Sequence, residues 1–209
     1  MKTSIAIGAL VIAAMAGSAS AGIVDSFTTA GSSNPAGFGA PYVNTSGSGS
    51  LFNQRQVARF GSSASASVGG GAWTASLPAS GNSSVLRLRQ DSSLSTIDLS
   101  GIASMSFDIA VTGSLTFFWN ILDENGFIID FPGPFALSAG SSTQTLNFST
   151  ANIDPGFDIS RVVRSEIWIT AASANSSFAV TNYTYTLVPT PGAVALLGMG
   201  GLLAARRRR

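Results

Sequence analysis

The chain has ten acidic side chains but no histidine and no cysteine, and these absences limit the chemistry that it can perform. The two missing residue types exclude a Ser-His-Asp triad, an imidazole base, a thiolate nucleophile and the usual zinc sites. Glycoside hydrolysis needs only two carboxyls, about 5–9.5 Å apart, and ten acids allow many such pairs. The sequence singles out none of them, and Glu166 lies in an alternating strand, where an exposed polar face accounts for it. A surface glycoside hydrolase is therefore the least favoured of three function hypotheses.

Oxygen-bearing side chains near two turns have the chemistry of calcium ligands but not their spacing. Asp123, Asn125 and Asp130 begin like an EF-hand loop, but the glycine comes too early and the closing glutamate is absent. Asp154 and Asp158 flank a Pro-Gly pair, for which a turn is the favoured explanation. We predict no metal site, no cofactor and no catalytic residues.

Aromatic residues offer a second kind of chemistry, because their faces suit the apolar faces of sugar rings. Trp168 alternates with Ile167 and Ile169, which places its side chain on the face opposite to theirs. With Tyr183 and Tyr185 it forms a candidate ligand platform. Thirteen phenylalanines show that aromatic residues also fill the core of this protein, and Trp119 is assigned to that core.

The elements that would position these side chains are strands. Short runs alternate apolar and polar residues between Gly, Ser and Asn clusters, as in Met105, Phe107, Ile109 and Val111. We predict about nine to eleven strands, among them 104–111 and 114–122, the second buried on both faces. The sequence Asp123-Glu124-Asn125-Gly126 predicts a tight hairpin turn.

Strands at this spacing predict an all-β fold, an antiparallel β-sandwich or jelly-roll-like body over residues 22–187. Residues 30–50 are expected to form a long loop, and residues 61–71 a flexible link or a weakly specified strand pair. The segments 97–101 and 157–160, each leading into a predicted strand, are loosely similar to carbohydrate-binding jelly rolls of the galactose-binding type. That resemblance implies the second hypothesis, a module that binds carbohydrate or exopolysaccharide.

The N-terminus has the layout of a secretory signal peptide over residues 1–21. Lys2 precedes an apolar run from Ile5 to Ala16, and the small residues Ala19 and Ala21 predict cleavage after Ala21. As a helix the apolar run would be about 18 Å long, which is too short for a bilayer core of about 30 Å.

The C-terminus, residues 188–209, has three parts in a fixed order. A Pro-x-Pro motif comes first, formed by Val188, Pro189, Thr190, Pro191 and Gly192. A short apolar stretch, predicted to be a hydrophobic helix, runs from Ala193 to Ala205. Four arginines close the chain: Arg206, Arg207, Arg208 and Arg209. The basic end would remain cytoplasmic, with the body on the other side of the membrane.

This layout resembles the PEP-CTERM sorting signal of exported bacterial proteins, although Thr190 stands where that motif has glutamate. The resemblance implies processing by an exosortase and transient anchoring in the inner membrane. The first hypothesis is therefore an exported, non-catalytic protein of the cell surface or extracellular matrix, with a structural or interaction role. Between residues 22 and 188, six arginines face ten acids and no lysine, which argues against nucleic acid as a partner.

Overall fold

A computed structural model describes residues 21–31, 36–39, 41–46, 49–90, 95–130 and 134–188. Its strands are β1 (Ala21–Asp25), β2 (Val43–Asn44), β3 (Gln54–Phe60), β4 (Ser65–Gly69), β5 (Ala72–Leu77), β6 (Ser83–Arg89), β7 (Ile102–Asp123), β8 (Ile128–Asp130), β9 (Phe135–Asn147), β10 (Asn152–Ile153), β11 (Val162–Ala171) and β12 (Ser176–Leu187). Two short 3-10 helices, Gly37–Gly39 and Ile159–Arg161, accompany them. The predicted all-β class is confirmed.

All named strands are joined in one antiparallel sheet that folds over itself along β7. The main strand order is β2-β3-β6-β11-β7-β12-β5-β4. The N-terminal half of β7 pairs with β12 and its C-terminal half with β11, and the partner changes at Gly113. The result is a sandwich of two layers. We call β3, β6, β11, the second half of β7 and its partner β8 the first layer, and β4, β5, β12 and the first half of β7 the second layer.

The core lies between these layers and is filled from the alternating apolar positions. The indole of Trp73 in the second layer donates a hydrogen bond to Ser84 Oγ in the first, at 3.2 Å. Trp119 is fully buried, as predicted, and its indole donates to Ser165 Oγ at 3.1 Å. Because a buried indole N–H needs an acceptor, these serines let large aromatic side chains fill the core.

Several local predictions can be compared with the strands. The turn after Asp123 is confirmed: Gly126 has a φ of +85°, and Asp123 Oδ1 accepts the backbone N–H groups of Asn125 and Phe127 at 2.9 Å each. The predicted strands 104–111 and 114–122 are one continuous strand, β7, because Gly113 bends the chain without ending the sheet. The prediction that 114–122 is buried on both faces is wrong, because only alternate residues are buried and Phe118 is 39% exposed. Residues 61–71 contain β4, which pairs with β5.

No helix in the described part of the chain is long and apolar enough to cross a membrane. Residues 1–20 of the predicted signal peptide, with Ala19, lie outside the described residues, as do the Pro-x-Pro motif from Pro189 onward, the C-terminal helix and the four terminal arginines. Ala21, the last residue of the predicted peptide, begins β1 and pairs with Thr186.

Candidate functional site

One face of the first layer points away from the core, and we call it the outer face. Strand register places side chains from β3, β6, β11, β7 and β8 in rows across it. One such row is polar and consists of Gln56, Arg87, Glu166, Asn120 and Asp130. The next row contains Trp168 beside Phe118. Polar and aromatic groups therefore lie next to each other on one sheet surface.

Glu166 occupies the middle of the polar row and is buried, at 4% exposure. The Arg87 guanidinium donates to its two carboxylate oxygens at 2.9 and 3.3 Å, and the Trp168 indole donates to Oε1. Arg164 Nε lies 3.1 Å from Glu166 Oε2. The interpretation of Glu166 as a solvent-exposed residue is wrong, because neighbouring side chains on its own face cover it.

An aromatic cluster lies beside Glu166, with Trp168 at its centre. The Trp168 ring is nearly parallel to the ring of Phe60, at 17° and 5.3 Å between centroids, and to that of Phe118, at 13° and 5.6 Å. Because β11 lies between the strands that carry the two phenylalanines, they flank the indole on opposite sides. Such offset stacking holds the rings in fixed positions, and Phe118 remains 39% exposed.

The 3-10 helix Gly37–Gly39 adds a fourth ring to this cluster. Phe38 packs edge-on against Phe60 and Trp168, at 5.0 and 5.5 Å between centroids, and is 37% exposed. Its carbonyl oxygen accepts a hydrogen bond from Gln56 Nε2 at 3.1 Å. The Arg87 guanidinium lies 3.2 Å from the centre of its ring, so that one arginine contacts both the carboxylate and the aromatic part of the face.

The structure does not bring the three residues of the predicted platform together. Trp168 is half-buried on the outer face, where alternation places it. Tyr183 is fully buried in the core, where its hydroxyl lies 3.2 Å from Ser165 Oγ, so its assignment to a surface platform is wrong. Tyr185 is partly buried and packs against that same core, away from Trp168. Burial raises the pKa of the Tyr183 phenol far above its ordinary value.

Three of the acids considered as calcium ligands, Asp123, Asp154 and Asp158, have structural partners. Asp123 Oδ2 accepts the backbone N–H of Asp158 at 3.0 Å, and Asp154 Oδ2 accepts that of Ile128 at 3.0 Å. Asp158 caps the second 3-10 helix, and hydrogen bonds from the Ser160 hydroxyl and backbone N–H lower the pKa of its carboxyl. In the described ranges, no three side chains of Asp or Glu are grouped as metal ligands.

Two acceptors in the polar row are buried and make no hydrogen bond to any described residue: Asn120 Oδ1 and Asp130 Oδ1. The two residues are register partners on neighbouring strands. A buried acceptor without a donor costs about 1–3 kcal/mol. A hydroxyl donor at this end of the row would therefore be stabilising.

The sequence pattern does not group Phe38, Phe60, Phe118 and Arg87 into one site. The alternation of Arg87 and Arg89 with Leu86 and Leu88 does place both arginines opposite the core. It does not show that β6 lies beside β11, or that a turn from the 30–50 loop covers their outer face.

No model of a known family matches the chain, and no curated protein matches it significantly. Among solved structures, the agarase AgWH50C is similar with a TM-score of 0.45 and 14% identity over 63% of this chain, which spans only 23% of that protein. The family 11 carbohydrate-binding module of the cellulase Lic26A-Cel5E of Clostridium thermocellum has a TM-score of 0.39 and 15% identity, covering 64% of this chain and 83% of the module. A mutant of the family 29 module CBM29-2 has a TM-score of 0.41 and 14% identity, covering 80% and 92%. At these values the similarity carries no argument about function.

Proposed function

We propose that the outer face of the first layer binds polysaccharide without cleaving it. The observation that carries this proposal is the aromatic cluster, in which Phe118 and Phe38 are 39% and 37% exposed, beside a register row of polar side chains. A sugar presents apolar C–H faces and hydroxyl groups at the same time. A surface that pairs aromatic rings with a few convergent polar groups is complementary to both.

The length of the polar row supports a polymer as the ligand. The row crosses five strands from β3 to β8. Neighbouring strands lie about 4.8 Å apart, so four intervals extend about 19 Å. That length matches several consecutive sugar units of a chain. Within the row Gln56 and Glu166 are buried, so a sugar chain along it would contact the more exposed side chains around them.

The contacts of Glu166 favour binding over hydrolysis. Both of its oxygens accept hydrogen bonds from Arg87, and Oε1 also accepts one from Trp168. Hydrolysis of a glycosidic bond requires a carboxylic acid that can donate its proton to the leaving oxygen. Glu166 is 4% exposed and both of its oxygens already have donors, so a glycosidic oxygen has little access to it.

Affinity electrophoresis in gels that contain single soluble polysaccharides tests this proposal. We expect at least one polymer to retard the protein and Phe118→Ala to abolish the retardation. Phe127→Ala is the matched control, because Phe127 is 40% exposed and outside the cluster. Equal retardation of the two variants, or none of the parent protein by any polymer, would reject the proposal.

We further propose that the protein is exported and that an exosortase removes its C-terminal segment. This proposal is supported by the sequence of the two ends, a signal-like N-terminus and the Pro-x-Pro, apolar and arginine parts of residues 188–209. The polymer-binding face would then act at the cell surface or in the extracellular matrix. Intact-mass spectrometry of the protein from its native host should give a mass without Arg206–Arg209, and a mass that includes them would refute processing.

A further inference from the structure

Positive charge is concentrated at one end of the outer face. Of the six arginines between residues 22 and 188, three lie there on two neighbouring strands: Arg87 and Arg89 on β6, and Arg164 on β11. Arg164 is the register partner of Arg89, and Arg87 that of Glu166. The three guanidinium groups therefore project from one small area next to the aromatic cluster.

Among the described residues, one carboxylate balances these three cations at that end. Glu166 pairs with Arg87 and Arg164. Arg89 donates to a neutral acceptor, Gln54 Oε1, at 2.9 Å and lies 3.5 Å from the centre of the Tyr42 ring. Asp130 also belongs to the polar row, but it lies on β8, and β7 separates β8 from the strand of Glu166. It is therefore not a neighbour of the three arginines.

Arg164 is more available to a ligand than Arg87. Its side chain is 32% exposed, against 16% for Arg87. Its Nε is buried, 3.1 Å from Glu166 Oε2, so a ligand would approach the guanidinium through its terminal Nη atoms. An arginine whose donors are incompletely used can bind a further carboxylate through its planar fork.

The positive area is a local exception in an acidic body. Ten acids outnumber the six arginines between residues 22 and 188. The other three arginines are engaged elsewhere: Arg55 with buried Asp25 at 2.7 Å, Arg161 with Glu124, and Arg59 with the Gly61 carbonyl at 2.9 Å. We therefore do not expect the protein to attract every polyanion. We expect the three arginines to be complementary to negative groups of a ligand bound at this end of the outer face.

We infer that the polysaccharide bound at this face is anionic and carries carboxylate groups, as a polymer of uronic acid does. This inference rests on the proposed function and specifies its ligand class. The aromatic cluster packs on the sugar rings while Arg164 and Arg89 bind the carboxylates along the chain. Neutral polymers would pack on the aromatic cluster but would offer no carboxylates to the arginines.

The test compares polygalacturonate with its fully methyl-esterified form, which has the same sugar and linkage without the charge. Binding of the full chain is measured by calorimetry with both polymers, with a neutral glucan and with single-stranded DNA.

We expect the acid to bind at least about tenfold more tightly than its ester. Arg164→Gln and Arg89→Gln should each weaken binding of the acid by about tenfold. Arg59→Gln removes the same charge elsewhere and should change affinity by less than about twofold. The preference for the acid over its ester should decrease when the salt concentration is raised from about 20 to about 300 mM, because salt screens the charges.

The outcomes separate the two proposals. Equal binding of acid and ester, or full binding by the Arg164→Gln and Arg89→Gln variants, overturns the inference and leaves polysaccharide binding intact. DNA binding as tight as that of polygalacturonate also overturns it, because the face would then be selecting charge alone. Failure to bind any of the polysaccharides counts against the proposed function itself.

Discussion

Arg87 and Glu166 lie opposite each other on neighbouring strands, and their side chains form two hydrogen bonds of 2.9 and 3.3 Å. The same guanidinium lies 3.2 Å from the centre of the Phe38 ring. This arginine therefore connects a buried carboxylate to an exposed aromatic residue. The arrangement of the candidate site depends on an ion pair within the sheet.

Replacing Glu166 with glutamine should destabilise the protein by about 2–4 kcal/mol, because removing one member of a buried pair leaves the other uncompensated. The new amide would also direct N–H donors toward the donors of Arg87 and Trp168. Urea unfolding measures the change. Glu124→Gln is the control, since that pair with Arg161 is exposed and should cost less than about 1 kcal/mol. Equal losses in the two variants would contradict the structural role of Glu166.

Gly113→Ala should destabilise the fold where β7 passes from one layer to the other. Gly113 has a φ of +81°, and an added Cβ would lie 2.6 Å from Ser176 Oγ and 3.1 Å from its backbone Cα. Left-handed strain and overpacking together should cost about 2–4 kcal/mol. In Gly126→Ala, φ is +85° but a Cβ would meet nothing within 4 Å, so only the strain of about 1–2 kcal/mol should remain. Thermal unfolding that ranks the two variants in the opposite order would contradict this account.

Tyr183 should make the protein less stable in alkali. Burial raises its pKa above the ordinary value of about 10, so the folded state keeps the phenol proton while the unfolded chain loses it. This stabilisation is fully present below about pH 10 and declines above it by up to about 1.4 kcal/mol per pH unit. Urea unfolding at about pH 8 and about pH 11 should show a smaller loss in Tyr183→Phe than in the parent protein. Identical losses in both proteins would show that Tyr183 does not contribute to the loss of stability at high pH.

The sequence was sufficient to predict features that depend on a single strand or turn. Alternation identified Met105, Phe107, Ile109 and Val111 as core residues, since successive side chains of a strand point to opposite faces. The turn at Asp123–Gly126 could be predicted because few residues supply a positive φ. Trp119 was likewise assigned correctly to the core.

Features that depend on strand order could not be predicted in this way. Tyr183 and Trp168 both follow an alternating pattern, but one faces the core and the other the outer face. The burial of Glu166 depends on Arg87 and Arg164, which lie on β6 and on its own strand. Phe38 reaches the face from a segment with no periodic pattern, so only the folded chain brings it to Trp168.

NMR of the tryptophan indole N–H groups tests the central claim most directly. The chain has three tryptophans: Trp73 and Trp119 are fully buried in the core, while Trp168 lies on the outer face and donates its N–H to Glu166. Titration with a polysaccharide that retards the protein should shift the Trp168 signal progressively, while the signals of Trp73 and Trp119 remain in place. Shifts confined to the two core tryptophans, or an unchanged Trp168 signal at saturating polymer, would contradict binding at this face.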